Sequence, residues 1–260
     1  MRLIRTRKLP LALAMLLAGV YVLLPIVAAT EFSLRQPAKG DHGFDNYAWF
    51  MSDPDFGKYL GISFGLAAYS AIILLVVLVP TVVWLNLNGA KFRPFVEFIS
   101  LMPLVIPVVA LAIGAQTALP EFAQTDETVL AYMFAVLALP YAYRTMDTGL
   151  RSVPLRTLVE AARGLGAGWI RTILLVIIPV VRGSVLNALF MTLALSLGEF
   201  TLTSLLHWDT FTTWVTTMSQ SNILGAIALS MFSLGAVFAL LLGVGLFVRH
   251  PKSNVVSEEE

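Results

Sequence analysis

Two carboxylates and a few small polar groups lie in or beside stretches that are otherwise apolar. Glu97 is one; Glu199 is the other, with Ser196, Thr201, Thr203 and Ser204 around it. A carboxylate in hydrocarbon is costly unless it faces water or a partner, so each is a candidate for moving a polar solute or a proton. Glu97 lies close to Lys91 and Arg93, which suits pairing at a membrane interface. Glu199 is deeper, and lines a translocation path, makes a structural hydrogen bond, or sits at the outer interface. Asn187 and Ser196 are further path candidates, as are Pro103 and Pro107, which free backbone carbonyls on similar faces of a kinked helix. Catalytic chemistry has no comparable support. There is no cysteine, and His42, His207 and His250 lie in loops or tails without metal-ligand spacing. No Gly-x-Ser-x-Gly or His-Glu-x-x-His pattern occurs, so no catalytic or metal site is expected.

The elements that carry these groups are membrane helices. Of the 260 residues 58% are hydrophobic and 13% charged, with a mean hydropathy of +0.82; soluble domains carry roughly 25% charge. Apolar runs fall at about 9–29, 60–86, 95–118, 127–146, 180–206 and 223–247. Most approach the ~20 residues needed to cross a ~30 Å hydrocarbon core. The expectation is an all-α integral membrane protein, one transmembrane domain over 1–260 with six helices. The first run follows a basic start but is long for a signal peptide, and is read as a retained helix.

Lys and Arg placement orients the chain. Arg2, Arg5, Arg7, Lys8, Lys91, Arg93, Arg144, Arg151, Arg156, Arg163, Arg171, Arg182, Arg249 and Lys252 fall on one side of the expected topology; only Arg35, Lys39 and Lys58 fall on the other. Positive residues mark the cytoplasmic side, so both termini and the long 147–179 loop are expected there, in a multi-pass protein of the cell (inner or plasma) membrane.

That loop carries the most distinctive spacing. Ser152 is a plausible N-cap, with Pro154 in the first turn after it. Leu155, Leu158, Val159 and Ala162 recur at helical spacing, with Arg156 and Arg163 elsewhere around the helix. Ala161 and Ala162 add little bulk and let a partner approach the backbone. Gly164, Gly166 and Gly168 cost roughly 1 kcal/mol each in a continuous helix, which places a turn at Gly166. A second piece, Trp169 to Val176, leads to Pro179. Periodicity alone fits either a docking helix-turn-helix or an ordinary interfacial amphipathic helix.

Glu160-Ala161-Ala162, three residues, Gly166, nine residues, then Val176-Ile177-Ile178-Pro179 resembles the EAA loop of permease subunits of binding-protein-dependent ABC importers. The departures from that family's Ile-x-Leu-Pro ending are Val176 and Ile178. Six helices with this loop between the fourth and fifth, Met102 to Pro107 and Leu197 to Phe200 extend the resemblance, towards the spermidine/putrescine, phosphonate, ferric-iron and thiamine branch. It implies coupling helices seated in a cytoplasmic ATPase, with Glu160 at the groove, Ala161 and Ala162 allowing close approach, Gly166 turning, and Arg163, Gly164, Val176, Ile178 and Pro179 completing the motif. It also implies a second permease subunit, a paralogue or an identical copy, two copies of the ATPase, and an extracytoplasmic binding protein. No nucleic acid and no cofactor on this chain are expected: it has no phosphate loop, so ATP and Mg belong to the ATPase. Nine acids in the outer connectors (Glu31, Asp41, Asp45, Asp53, Asp55, Glu121, Asp126, Glu127 and Asp209) fit a cationic solute such as a polyamine but equally reflect the positive-inside bias; the resemblance makes a polyamine the expected solute, with phosphonate, ferric iron or thiamine as alternatives. The rival class is an ion-coupled secondary transporter working through Glu199.

Overall fold

A computed structural model of the chain describes residues 8–36 and 40–248. Arg2, Arg5, Arg7, Lys39, Arg249 and Lys252, used above for orientation, lie outside them. Apart from one antiparallel pair, β1 (Arg35–Gln36) with β2 (Asp41–His42), the described secondary structure is helical. The chain divides into two compact units, one running from its start to Lys58 with Trp214–Ala236, the other Tyr59–Thr213 with the residues from Val237 on.

In the first unit, α1 (Lys8–Leu34) continues beyond the expected 9–29. The expected polar loop 31–58 is largely ordered, by β1–β2, by α2 (Asp45–Met51) and by the start of α3 (Pro54–Leu87). Asn46 Nδ2 donates to the carbonyls of Ser33 (2.9 Å) and Arg35 (3.0 Å), tying α2 to the end of α1. Phe50 is fully buried and meets the rings of Phe56 and Phe232 at 5.3 and 5.6 Å, an aromatic cluster in tilted, off-parallel contact.

The second unit holds the loop and the candidate path. α3 and α7 (Val129–Arg151) supply most of its core, with Leu78, Val82, Leu85, Ala138, Ala142 and Met146 among the buried residues. The expected span 95–118 is not one helix. α4 (Arg93–Val105) and α5 (Val108–Ala118) meet at 99°. Pro107 has no N–H and disfavours helical backbone before it, and Ile106 is extended (φ −75°, ψ 120°). A helix of 13 residues is about 20 Å long, short of a ~30 Å core. After α6 (Glu121–Gln124), α7 runs on to Arg151, so the first residues of the expected loop complete a membrane helix. The expected 180–206 run is bent 88° before Arg182, where α9 (Trp169–Thr172), a π-turn (Ile173–Ile177) and α10 (Ile178–Val180) meet α11 (Arg182–Gly198). It breaks again at Glu199–Phe200, ahead of α12 (Thr201–Leu205). α13 (Phe211–Ser221) and α14 (Ile223–Val248) follow. Among the described residues three helices are thus long and apolar enough to span unaided, Ala12–Leu34, Pro54–Leu87 and Val129–Arg151, and two further candidates are the bent pairs.

α7 and α11 make the closest helix pairing. A Cβ added at Gly149 would land on the Cβ and Oγ of Ser184, so glycine sets the distance between the two backbones. Gly149→Ala is expected to destabilise the purified protein by about 1–3 kcal/mol through overpacking, read as a lower melting temperature in detergent. Adding Ser184→Gly should recover most of the loss, because the clash is with that side chain alone; equal melting of the single and double variants would count against the contact.

Candidate functional site

The loop after α7 folds as a short amphipathic helix closed by a left-handed turn. Ser152 is not its N-cap: it ends α7, its Oγ donating to the Gly149 carbonyl at 2.8 Å, and Pro154 precedes the first helical residue. α8 (Leu155–Gly164) buries Leu155, Val159 and Ala162 at spacings of four and three. Leu155 and Val159 join the core that holds Met146, Leu150 and Ile177, each contributing about 1.5–3 kcal/mol relative to exposure. The helix closes by two bonds, Gly166 N to the Arg163 carbonyl (3.0 Å) and Ala167 N to the Ala162 carbonyl (3.1 Å). This is a Schellman cap, and Gly166 takes its left-handed position at φ +84°. Four residues from Ala162 to Gly166 is the step this cap needs, which accounts physically for a small residue followed by glycine at that distance.

The cap divides the Glu-Ala-Ala triplet between two faces. Glu160 and Ala161 are exposed, whereas Ala162 is 9% exposed and turned into the core. Only Ala161 therefore offers a small outward surface; the smallness of Ala162 serves the packing beneath the helix. Glu160 pairs loosely with Arg156 (3.4 Å), Arg163 lies over the Trp169 ring (5.0 Å), and Gly164 is exposed beside Leu165, which is 91% exposed. Beyond the turn, Val176 and Ile178 are half-buried and Pro179 is exposed at the start of α10, directly after the π-turn.

The second feature is a cavity of about 310 Å³ where the two broken helices meet. Pro103, Ile106, Pro107, Tyr141, Ser196 and Glu199 contribute to its lining. Glu199 caps the break it creates: one carboxylate oxygen accepts from Leu202 N (2.9 Å), and its own carbonyl accepts from Thr212 Oγ1 (3.0 Å). Glu199 thus satisfies the backbone at the break and also lines the cavity. Ser196 is buried, its Oγ 3.4 Å from that of Ser70. Four of the five path candidates come together here. Asn187 does not: it is exposed three turns earlier, on the stripe that continues through Met191 and Leu195.

A third group was not apparent from the sequence. Asp147, 9% exposed, lies between two guanidiniums. Arg151 Nη2 is 2.8 Å from one oxygen and Arg93 Nη2 3.4 Å from the other; Asn86 Nδ2 donates to Asp147 at 3.0 Å, and Arg93 donates to Asn86 at 2.7 Å. Arg93 thus turns to Asp147, and no ion pair to Glu97 is seen among the described residues. The Asp147 and Arg151 spacing of four was the one available signal; the reach to Arg93 is tertiary. Among the described residues no cluster of acids and histidines could hold a metal.

Residues 68–250 match the family of binding-protein-dependent transport system inner membrane components. The chain is 26% identical over 251 residues to a probable transport system permease protein, NifC, of Clostridium pasteurianum, covering 88% of this chain and 84% of that one. It is 28% identical over 259 residues to a probable molybdenum ABC transporter permease protein of Haloferax volcanii, covering 91% of each. Neither name speaks of polyamines, and a secondary carrier driven through Glu199 does not belong to this family. Because the matched segment spans more than half the chain and contains both the α8 turn and the Glu199 cavity, this protein belongs to the binding-protein-dependent transport family and is a permease subunit of an ABC importer, not an enzyme, with ATP hydrolysis left to separate subunits.

Proposed function

We propose that this permease imports a molybdenum-containing solute handed over by an extracytoplasmic binding protein, and that the α8 turn is its seat on a cytoplasmic ATPase. The solute reading rests on the printed name of the Haloferax relative. Dissolved molybdenum at neutral pH is an oxoanion, opposite in charge to a polyamine. The acidic outer connectors do not argue against it, because a surplus of acids there follows from keeping Lys and Arg on the cytoplasmic side. That bias also supports cytoplasmic termini in an inner-membrane protein.

The observation that carries the coupling role is the α8 turn. An exposed, short helix end with Glu160, Ala161 and Leu165 outward is fixed by a core-packed underside and a glycine cap. Such an end can be pushed as a unit. Two ATPase copies would draw two such turns together, one from each of a pair of permease subunits. The path would run between the paired subunits past Glu199 and the α4–α5 break, with Asn187 lower on the same stripe of α11. ATP and Mg would stay on the ATPase, and no nucleic acid takes part.

The test is to purify the tagged chain gently from its native membrane and identify its companions by mass spectrometry. An ATPase with a phosphate loop is expected with the wild type. Gly166→Pro cannot adopt φ +84° and loses the capping N–H, so it should insert normally but lose the ATPase and uptake. Glu160→Lys is expected to abolish uptake as well; normal uptake by both variants would refute the coupling role.

The genetically linked binding protein should bind molybdate in calorimetry and ignore spermidine, and the reverse result would restore the polyamine reading. Glu199→Gln is expected to alter uptake with the ATPase still attached. Loss of the ATPase from that variant would make Glu199 structural only.

A further inference from the structure

The Asp147 cluster lies outside both the α8 turn and the Glu199 cavity, yet it joins the elements that carry them. We propose that Asp147 is a positioning residue that ties α4 to the loop-bearing end of α7, so that a displacement of α8 reaches the helix break beside Glu199. This rests on the coupling role proposed above for α8.

Four observations point to it. α8 starts four residues after Arg151, and Leu155 and Val159 share a core with Met146 and Leu150; α8 and the end of α7 therefore move together. α7 is in turn clasped to α11 at Gly149 and Ser184, where no slack exists. α4 is held differently. Ser100 is its one buried residue, with Val96 half-buried against the core; it packs along α7, and a cavity of about 310 Å³ lined by Glu97, Ser100, Tyr143, Arg144 and Asp147 opens between the two. With so few buried side chains of its own, α4 relies on polar ties to fix its position. What holds its first turn is the polar tie from Arg93 to Asp147 and Asn86. The far end of the same helix is the Ile106–Pro107 break that lines the Glu199 cavity.

The tie also has the form of a switch. The carboxylate has two cationic partners at unequal distance, Arg151 at 2.8 Å on its own helix and Arg93 at 3.4 Å on α4. Directional bonds shared between two donors can lengthen on one side and shorten on the other without leaving the charge unpaired, which is how a small shift passes between packed elements. A group that merely satisfied itself would stabilise the fold without setting the ratio of transport to ATP use.

The experiment uses the complete complex in proteoliposomes, with wild-type uptake and ATPase attachment establishing the coupling role independently. Asp147→Asn keeps the volume and removes the charge. It is expected to retain the ATPase subunits and basal hydrolysis while solute carried per ATP falls about tenfold. Asp147→Glu should recover part of that ratio. Spin labels at the exposed Thr157 and Val105 should show an ATP-dependent distance change in the wild type that Asp147→Asn abolishes. An unchanged ratio and an unchanged distance response in Asp147→Asn would overturn the proposal while leaving the coupling role intact. If Asp147→Asn fails to assemble, Arg93→Lys is measured instead; it weakens the same tie from the other side, and an unaltered ratio there is equally fatal.

Discussion

A backbone amide inside a bilayer has no water to turn to, and each unsatisfied group costs several kcal/mol. That constraint governs this structure wherever a helix stops short of the membrane surface. The break at Ile106–Pro107 is tolerable because proline contributes no donor to orphan, because Ile106 N still reaches the Met102 carbonyl, and because Pro103, Ile106 and Pro107 border a cavity. The break at Glu199–Phe200 is tolerable because the Glu199 carboxylate takes the Leu202 N–H and Thr212 takes the Glu199 carbonyl. Two breaks brought side by side leave a polar-edged hollow in an otherwise apolar unit. A solute path needs such a hollow, and an uninterrupted bundle of helices would not supply one.

The same chain uses tight and loose packing in different places. α7 and α11 approach until glycine is required between them, whereas α4 has one buried residue and rests beside a cavity. Tight contact makes a block that transmits displacement; loose contact lets an element be displaced. α8 is rooted in the tight part through Leu155 and Val159. Membership of an ABC importer family gives this division a purpose, because ATP-driven closure on one side must be felt at a gate on the other.

Charge is handled by placement rather than by number. The net charge is only +1, but on the expected topology most cations fall on one side, and Asp147, the one buried acid among the described residues, is surrounded by two arginines and an amide. Removing one partner of such a group generally costs about 3–5 kcal/mol. The acids of the connectors expected on the other side are mostly exposed, and their surplus there is the counterpart of Lys and Arg placed on the opposite side.

The helical class and the turn that follows Glu160-Ala161-Ala162 were legible in the amino-acid order, because hydrophobic runs and glycine and proline positions act over a few residues. The turn at Gly166 could be read for the same reason: a left-handed cap is a local demand. The chain order also showed Pro103 and Pro107 as sites of bending and Glu199 as an acid in an apolar run. It did not show that the two helices break outright, that Ala161 and Ala162 face opposite ways, or that Asn187 lies away from the cavity that its neighbours line. Nor did it reveal Asp147 reaching Arg93, 54 positions away. Local sequence determined which segments are helical and where they may turn. Tertiary packing decided which breaks meet, which faces are covered and which charges pair, since those depend on groups far apart in the chain sharing one small volume.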